Sequence, residues 1–231
     1  MSCVVFACGQ LLNAASFAPQ LAALSPANDV RVADHTRDDS IVGMAARLLA
    51  IAPPRFALVA HAMGGFVAFE VMRRAPERIE RLALLATLAP ADGPAQTARR
   101  QGYSDLVKAG RFEAVAEARL PLLVAPAQQG DSALTATIRA MAQATGPEVF
   151  MRQQRAIMAR IDSRPSLAAI AVPTLILWGD ADGIATRAHQ DELLAGIPGA
   201  RLAVLEGVGH LATLEAPDRV NAALGDWLGE S

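Results

Sequence analysis

Residues 56–70 read FALVAHAMGGFVAFE, and this stretch decides the fold. An unbroken apolar run over residues 56–60 is typical of a strand buried on both faces of a parallel sheet. Small residues follow at once, and residues 64–74 then have a helical pattern that Pro76 ends. The stretch therefore predicts a strand, a sharp turn centred on Ala62 and a helix.

The same alternation continues through most of the chain. Short apolar runs predict strands at residues 4–7, 30–33, 56–60, 82–86, 174–178 and 201–205. Helical patterns lie between them, including one that Ser40 can cap and one over residues 217–228. Strands that alternate with helices favour an α/β fold with a mostly parallel, doubly wound sheet.

One segment interrupts the alternation. Residues 94–166 have helical patterns and no convincing strand; Asp131 or Ser132 can cap one helix, and Pro147 suits the first turn of another. Ordinary crossover helices are the alternative, but about 70 residues exceed what one crossover needs. We expect an all-helical cap at 94–166, inserted into an α/β core formed by residues 1–93 and 167–231.

Composition excludes several classes of protein. The 231 residues carry a net charge of −2 with scattered Lys and Arg, so nucleic acid is not an expected partner. No apolar run is long enough to span a membrane, and no basic residue precedes Arg31 as a secretory signal would require. A cytoplasmic protein with reduced Cys3 and Cys8 is expected.

No cluster has the spacing of metal ligands, so neither a metal nor an organic cofactor is expected. The expected partner is a small-molecule substrate under the helical cap. The chain is expected to be a monomer or a homodimer, and the sequence does not decide between them.

The turn at Ala60-His61-Ala62-Met63-Gly64-Gly65 resembles the nucleophile elbow of the α/β-hydrolase superfamily. The similarity is to small microbial serine hydrolases with a Ser-Met-Gly-Gly elbow, and it extends over nearly the whole chain, through Pro173-Thr174-Leu175 to Gly207-Val208-Gly209-His210. The resemblance implies hydrolysis of an ester or related acyl bond.

Carried over residue by residue, the resemblance places the family's nucleophilic serine at Ala62. It places the acid at Asp182 and the base at His210, in the chain order that this fold uses. The implied oxyanion donors are the backbone N–H groups of Met63 and Gln10.

Two further residues belong to the expected site. Gly9 precedes Gln10 in the loop after the first strand, and His35 follows the end of the second predicted strand, where it could line the pocket.

Four departures from the family pattern are evident. The serine is absent, Ala60 replaces the first elbow glycine, Cys8-Gly9 replaces the usual His-Gly or Pro-Gly, and the chain opens on what would be the family's third strand. A methyl group cannot attack a carbonyl, and loss of a triad serine costs about 10⁶ in turnover. Covalent hydrolysis is therefore expected to be abolished in this chain.

Three explanations of Ala62 stay open. It could be a deliberate Ser→Ala change that inactivates a serine hydrolase. It could mark a natural family member that binds a ligand or partner without hydrolysing it. Alternatively, His210 and Asp182 could act as a general base in lyase or isomerase chemistry that needs no covalent intermediate.

Several other residues have a less specific interpretation. Asp180 and Asp92 are rivals to Asp182 as the acid. His61 is expected to form a local hydrogen bond, and His189 to be solvated. Cys8 is a remote candidate for a displaced nucleophile. Three methionines within residues 94–166 could line a substrate channel, but we expect them to pack against other side chains: Met141, Met151 and Met158.

Overall fold

A computed structural model describes residues 2–229 and has one six-stranded sheet in the order β2-β1-β3-β4-β5-β6. The strands are β1 (Cys3–Ala7), β2 (Asp29–Val32), β3 (Phe56–His61), β4 (Ile79–Leu85), β5 (Thr174–Gly179) and β6 (Arg201–Leu205). All five neighbouring pairs are parallel. The α/β architecture with a parallel sheet is confirmed.

The apolar character of the strands follows their position. Every residue of β1, β3 and β5 is buried, whereas the edge strands β2 and β6 are partly exposed. The carboxyl ends of all six strands meet at one edge of the sheet, which is where open α/β sheets place their ligand sites.

Helices cover both faces of the sheet. The helices are α1 (Ala18–Leu24), α2 (Ile41–Ile51), α3 (Met63–Arg74), α4 (Pro94–Lys108), α5 (Phe112–Leu123), α6 (Ser132–Met158), α7 (Arg187–Gly196), α8 (Ala212–Glu215) and α9 (Pro217–Gly229). One core cluster joins the sheet to α2, α3 and α7, and the other joins its opposite face to α1 and α9. The sheet is therefore doubly wound.

Strand β4 differs from the sequence-based boundary, 82–86. It begins at Ile79, which pairs with Phe56 of β3; the register shifts at Glu80 and the pairing resumes at Arg81, so two polar residues interrupt the apolar pattern at the start of the strand. It ends at Leu85, because Ala86 has a φ of 49°, in the left-handed region that a strand cannot contain.

The sequence patterns included no helix between β1 and β2, but the structure has α1 there, preceded by a short 3₁₀ turn, Ala14–Phe17. The side chain of Asn13 accepts a hydrogen bond from the backbone N–H of Ala15 at 3.0 Å and caps that turn. The two pieces are too short for helical periodicity to be recognised.

The segment 94–166 contains α4, α5 and α6 and no strand, as its patterns predicted. Asp131 caps α6 through bonds from the N–H groups of Ala133 and Leu134. Gly146 has a φ of 78°, so α6 is kinked there, and Pro147 starts its second half. We call residues 94–166 the helical segment; its status as a separate cap stays a prediction.

None of the helices within residues 2–229 combines the length and the apolar character that crossing a membrane would require. Cys3 and Cys8 are both free and buried, as expected.

Candidate active site

The turn between β3 and α3 holds Ala62 in a strained conformation. Its φ of 51° and ψ of −111° lie in a sparsely populated region for a residue with a Cβ. The backbone N–H of Ala62 donates to the carbonyl of Leu85 at 3.0 Å, and its carbonyl accepts from the Thr87 hydroxyl at 2.8 Å. Such strain persists only where the surroundings enforce it, and it clusters at functional sites.

The two glycines after Met63 are required by close packing. A Cβ on Gly64 would lie 2.1 Å from the backbone oxygen of Ala7 in β1. A Cβ on Gly65 would lie 2.1 Å from the hydroxyl of Thr87. The helix can therefore leave the turn directly against the sheet only because both positions lack a side chain.

His210 and Asp182 meet at the same edge of the sheet. Nδ1 of His210 lies 2.8 Å from Oδ2 of Asp182, and both side chains are almost completely buried. The other carboxylate oxygen accepts from the backbone N–H groups of Ile184 at 2.7 Å and Ala185 at 3.0 Å. Asp182 is thus fixed by its own loop and orients the imidazole, leaving Nε2 as the ring nitrogen with no bond to the carboxylate.

The two rival acids have other partners. Oδ1 of Asp180 accepts from the backbone N–H of Gly207 at 2.7 Å and ties together the loops that follow β5 and β6. Asp92 forms ion pairs with Arg100 and Arg160. Neither carboxylate is hydrogen-bonded to His210.

The loop that carries His210 is fixed by Glu215. Oε2 of Glu215 accepts from the backbone N–H groups of Gly209 at 3.0 Å and Ala125 at 2.9 Å. Burial raises the pKa of this carboxyl above its usual value, although these N–H donors oppose the rise. A Cβ on Gly209 would lie 2.4 Å from the nitrogen of Ala125, so the helical segment packs directly on this loop.

His61 forms a hydrogen bond with the loop that carries His210. Its Nε2 lies 2.9 Å from the backbone carbonyl of His210, and because a carbonyl can only accept, Nε2 must carry the proton. Burial, reinforced by the neighbouring His210, lowers the pKa of His61 to about 3. The neutral imidazole of His61 therefore stabilises the loop that carries His210 through this hydrogen bond.

A cavity opens between the sheet edge and the helical segment. Four of the expected site residues line it: Gln10, Ala62, Met63 and His210. Gly9 lies next to Ala62, since a Cβ added to Gly9 would be 3.2 Å from the Cβ of Ala62. Asp182 lies behind His210. Six of the seven expected residues therefore converge on one place; their catalytic roles stay predictions.

His35 is the exception. It does not line the cavity with Ala62 and His210 but is buried, with both ring nitrogens lacking hydrogen-bond partners among residues 2–229. Burial lowers its pKa to about 4, so it is neutral. Its backbone carbonyl accepts from the side chain of Gln153 at 3.3 Å. The packing of α6 over this loop keeps the ring away from the cavity, which sequence position could not show.

Cys8 and the three methionines also lie outside the cavity lining. Burial raises the pKa of Cys8 to about 12, so its thiol is protonated and has no nucleophilic character. Met141 packs in the core, while Met151 and Met158 border a separate, open groove.

The loop after β1 is held by α6. The backbone N–H of Leu11, whose φ is 61°, donates to the side chain of Gln153, and the side chain of Gln10 donates to that of Gln154, each at 3.0 Å. This anchoring fixes the loop that carries Gln10, which lines the cavity together with Met63. As the first residue of α3, Met63 has an N–H with no carbonyl partner within the helix.

Sequence reasoning missed the arginines of the helical segment. Arg99, Arg100 and Arg119 line the cavity. A signal for Arg119 was present: with Val115 and Leu123 it forms a stripe at a spacing of four residues, which places a cation on the buried face of α5.

The comparisons with known proteins identify the family. The model of the "Alpha/beta hydrolase family" matches residues 5–223. The chain belongs to the alpha/beta hydrolase family.

One similar protein and two similar solved structures carry the names of hydrolases. A putative carbamate hydrolase, RutD, from Azorhizobium caulinodans is 30% identical, over 98% of this chain and 91% of that protein. Among solved structures, the enol-lactonase from Burkholderia xenovorans LB400 is 27% identical with a TM-score of 0.90, covering 99% of this chain and 92% of that one. A thermophilic esterase from Thermogutta terrifontis, described with malate bound, is 25% identical with a TM-score of 0.89, covering 99% and 89%.

Proposed function

We propose that this chain is a serine hydrolase scaffold for an ester or related acyl bond, in which Ala62 occupies the position of the nucleophile. The supporting observation is that Ala62, strained at the turn after β3, lines the same cavity as His210, whose imidazole is held by Asp182 at 2.8 Å. The activity suggested by the curated relative, carbamate hydrolysis, cleaves a bond of the same acyl class.

In the parent reaction, a serine hydroxyl at position 62 attacks the substrate carbonyl. His210 Nε2 accepts the hydroxyl proton and returns it to the leaving group, while Asp182 keeps Nδ1 protonated and stabilises the imidazolium. The N–H groups of Met63 and Gln10 bind the oxyanion, and each such donor is worth about 10²–10³ in rate. The resulting acyl-enzyme is then hydrolysed by water that the same imidazole deprotonates.

With alanine at position 62, the acyl-enzyme cannot form. The cavity, the oxyanion donors and the His210–Asp182 pair are nevertheless all retained. This retention favours a second candidate, a binding protein or a general-base catalyst in which His210 acts directly on a bound substrate or on water.

The Ala62→Ser variant tests the proposal. Hydrolysis of p-nitrophenyl acetate and of a p-nitrophenyl carbamate should rise by several orders of magnitude over the unmodified chain, with the full effect on the order of 10⁶. Ala86→Ser is the matched control, because Ala86 also lines the cavity with a positive φ but lies at the end of β4. It should give no gain.

Adding His210→Gln to Ala62→Ser should abolish the gain. If a folded Ala62→Ser variant gains no activity on either substrate, the serine-hydrolase proposal is wrong and the second candidate replaces it.

A further inference from the structure

Arg119 is a buried cation without an acidic partner. It lies on α5 at the cavity, 9% exposed, and its Nη1 donates a short hydrogen bond to the neutral side-chain oxygen of Gln10. Among residues 2–229 no carboxylate forms an ion pair with it. Burial, together with Arg100 and Arg99, lowers its pKa to about 10. The guanidinium is therefore still charged at neutral pH.

The charges around the cavity do not balance. Asp92 is shared between two arginines, the partly buried Arg100 at 2.5 Å and the buried Arg160 at 2.9 Å. The carboxylate of Asp182 is already paired with the imidazole of His210. These contacts leave Arg119 as an excess positive charge, while the exposed Arg99 adds a second cation to the lining.

An isolated buried charge is costly unless a partner satisfies it. Gln10 accepts from Arg119 and is itself held by Gln154, whose side-chain oxygen accepts from Gln10 at 3.0 Å and from Arg100 at 3.1 Å. A buried cation that is fixed at the cavity by a neutral partner, with no carboxylate paired to it among residues 2–229, provides a preformed site for an anion. The planar guanidinium suits a carboxylate or a phosphate, which it can bind through two parallel N–H groups.

We propose that Arg119 binds an anionic group of the substrate, and specifically that the substrate is an acyl compound carrying a carboxylate. This inference rests on the proposed function, because it names the substrate class of the same cavity. The carboxylate would sit on Arg119 with Arg99 nearby, while the scissile carbonyl lies at Met63 and His210.

Binding can be measured on the unmodified chain, since no nucleophile is needed. Isothermal titration calorimetry would compare monomethyl succinate with its uncharged analogue, dimethyl succinate, and with inorganic phosphate. The carboxylate should bind about 10- to 100-fold more tightly than the neutral diester, the range expected for a charge-assisted hydrogen-bond pair. Phosphate that binds while monomethyl succinate does not would overturn the assignment to a carboxylate.

Two variants separate Arg119 from general charge effects. Arg119→Met should reduce monomethyl succinate binding by at least about 10-fold and leave dimethyl succinate unchanged. Arg187→Met removes the same charge from an exposed pair with Asp191 on α7, and should change neither. Equal carboxylate binding by Arg119→Met and the unmodified chain would overturn the proposal.

Folding of the variant has its own readout. Arg119→Met removes an uncompensated buried charge, so its melting temperature without ligand should not fall, and monomethyl succinate should raise the melting temperature of the unmodified chain only. If the methionine variant does not fold, Arg119→Lys keeps the charge without the planar fork. It should bind monomethyl succinate more weakly than the unmodified chain, and equal binding would contradict the proposed paired geometry.

The two proposals fail separately. If the carboxylate binds through Arg119 but Ala62→Ser hydrolyses nothing, the serine-hydrolase mechanism is wrong and the anion site remains. If Ala62→Ser hydrolyses neutral and carboxylate-bearing esters with equal kcat/KM, the hydrolase mechanism remains and the anion site is wrong.

Discussion

Replacing Gly64 by alanine should destabilise the protein, because the helix after the Ala62 turn lies against backbone rather than against side chains. The new Cβ would be 2.1 Å from the carbonyl oxygen and 2.6 Å from the carbonyl carbon of Ala7. Ala7 belongs to the buried strand β1, paired with β2 and β3, so it cannot move away cheaply. Overpacking of this kind costs about 1–3 kcal/mol and occasionally more.

The helical preference of alanine over glycine returns at most about 1 kcal/mol. Because the contact is with immobile backbone, we take the upper end of that cost and expect a net loss of about 2 kcal/mol of unfolding free energy. For a chain of this length, 1 kcal/mol corresponds to about 2–4 °C, so Tm should fall by about 4–8 °C.

Thermal unfolding followed by circular dichroism measures the effect, with Gly225→Ala as the matched control. Gly225 is exposed in α9, and a Cβ there meets nothing within 4 Å. That substitution should stabilise the protein by about 0.5–1 kcal/mol. If Gly64→Ala unfolds at the same temperature as the unmodified chain, or is stabilised like Gly225→Ala, the close approach of α3 to β1 is wrong.

Two further predictions concern the ionisable groups. Adding Asp182→Asn to the active Ala62→Ser variant should lower kcat by about 10⁴, because an amide cannot hold the imidazole in the required tautomer. The assay is hydrolysis of p-nitrophenyl acetate, and a loss below 10-fold would show that Asp182 has no part in the mechanism. Stability should also fall as pH drops from about 6.5 towards 4, because unfolded His35 binds a proton in that range and the folded residue, with a pKa of about 4, does not. This lowered pKa is worth at most ~3 kcal/mol, so Tm of His35→Leu should fall less between pH 6.5 and 4.5 than Tm of the unmodified chain. The control His189→Gln, at the partly exposed start of α7, should keep the full loss. Equal slopes for all three proteins would contradict a buried neutral His35.

Much of the fold could be predicted from local patterns. The six apolar runs became the six strands, and Ser40 caps α2 by accepting a bond from the N–H of Gly43. Such features depend on residues a few positions apart, so the sequence alone is enough to predict them. The polar start of β4 was missed for the opposite reason: its pairing with β3, and not its own composition, makes it a strand.

The sequence by itself also determined the chemical character of the site: a methyl group at the turn after β3, and an acid and a histidine in the loops after β5 and β6. The tertiary structure alone decided which groups meet. It directed Asp180 and Asp92 to other partners, removed His35 from the cavity and placed Arg119 there without an acid beside it. The physical reason is that charge compensation and burial depend on neighbours that are distant in the chain, and only the packing of the helical segment on the sheet brings those neighbours together.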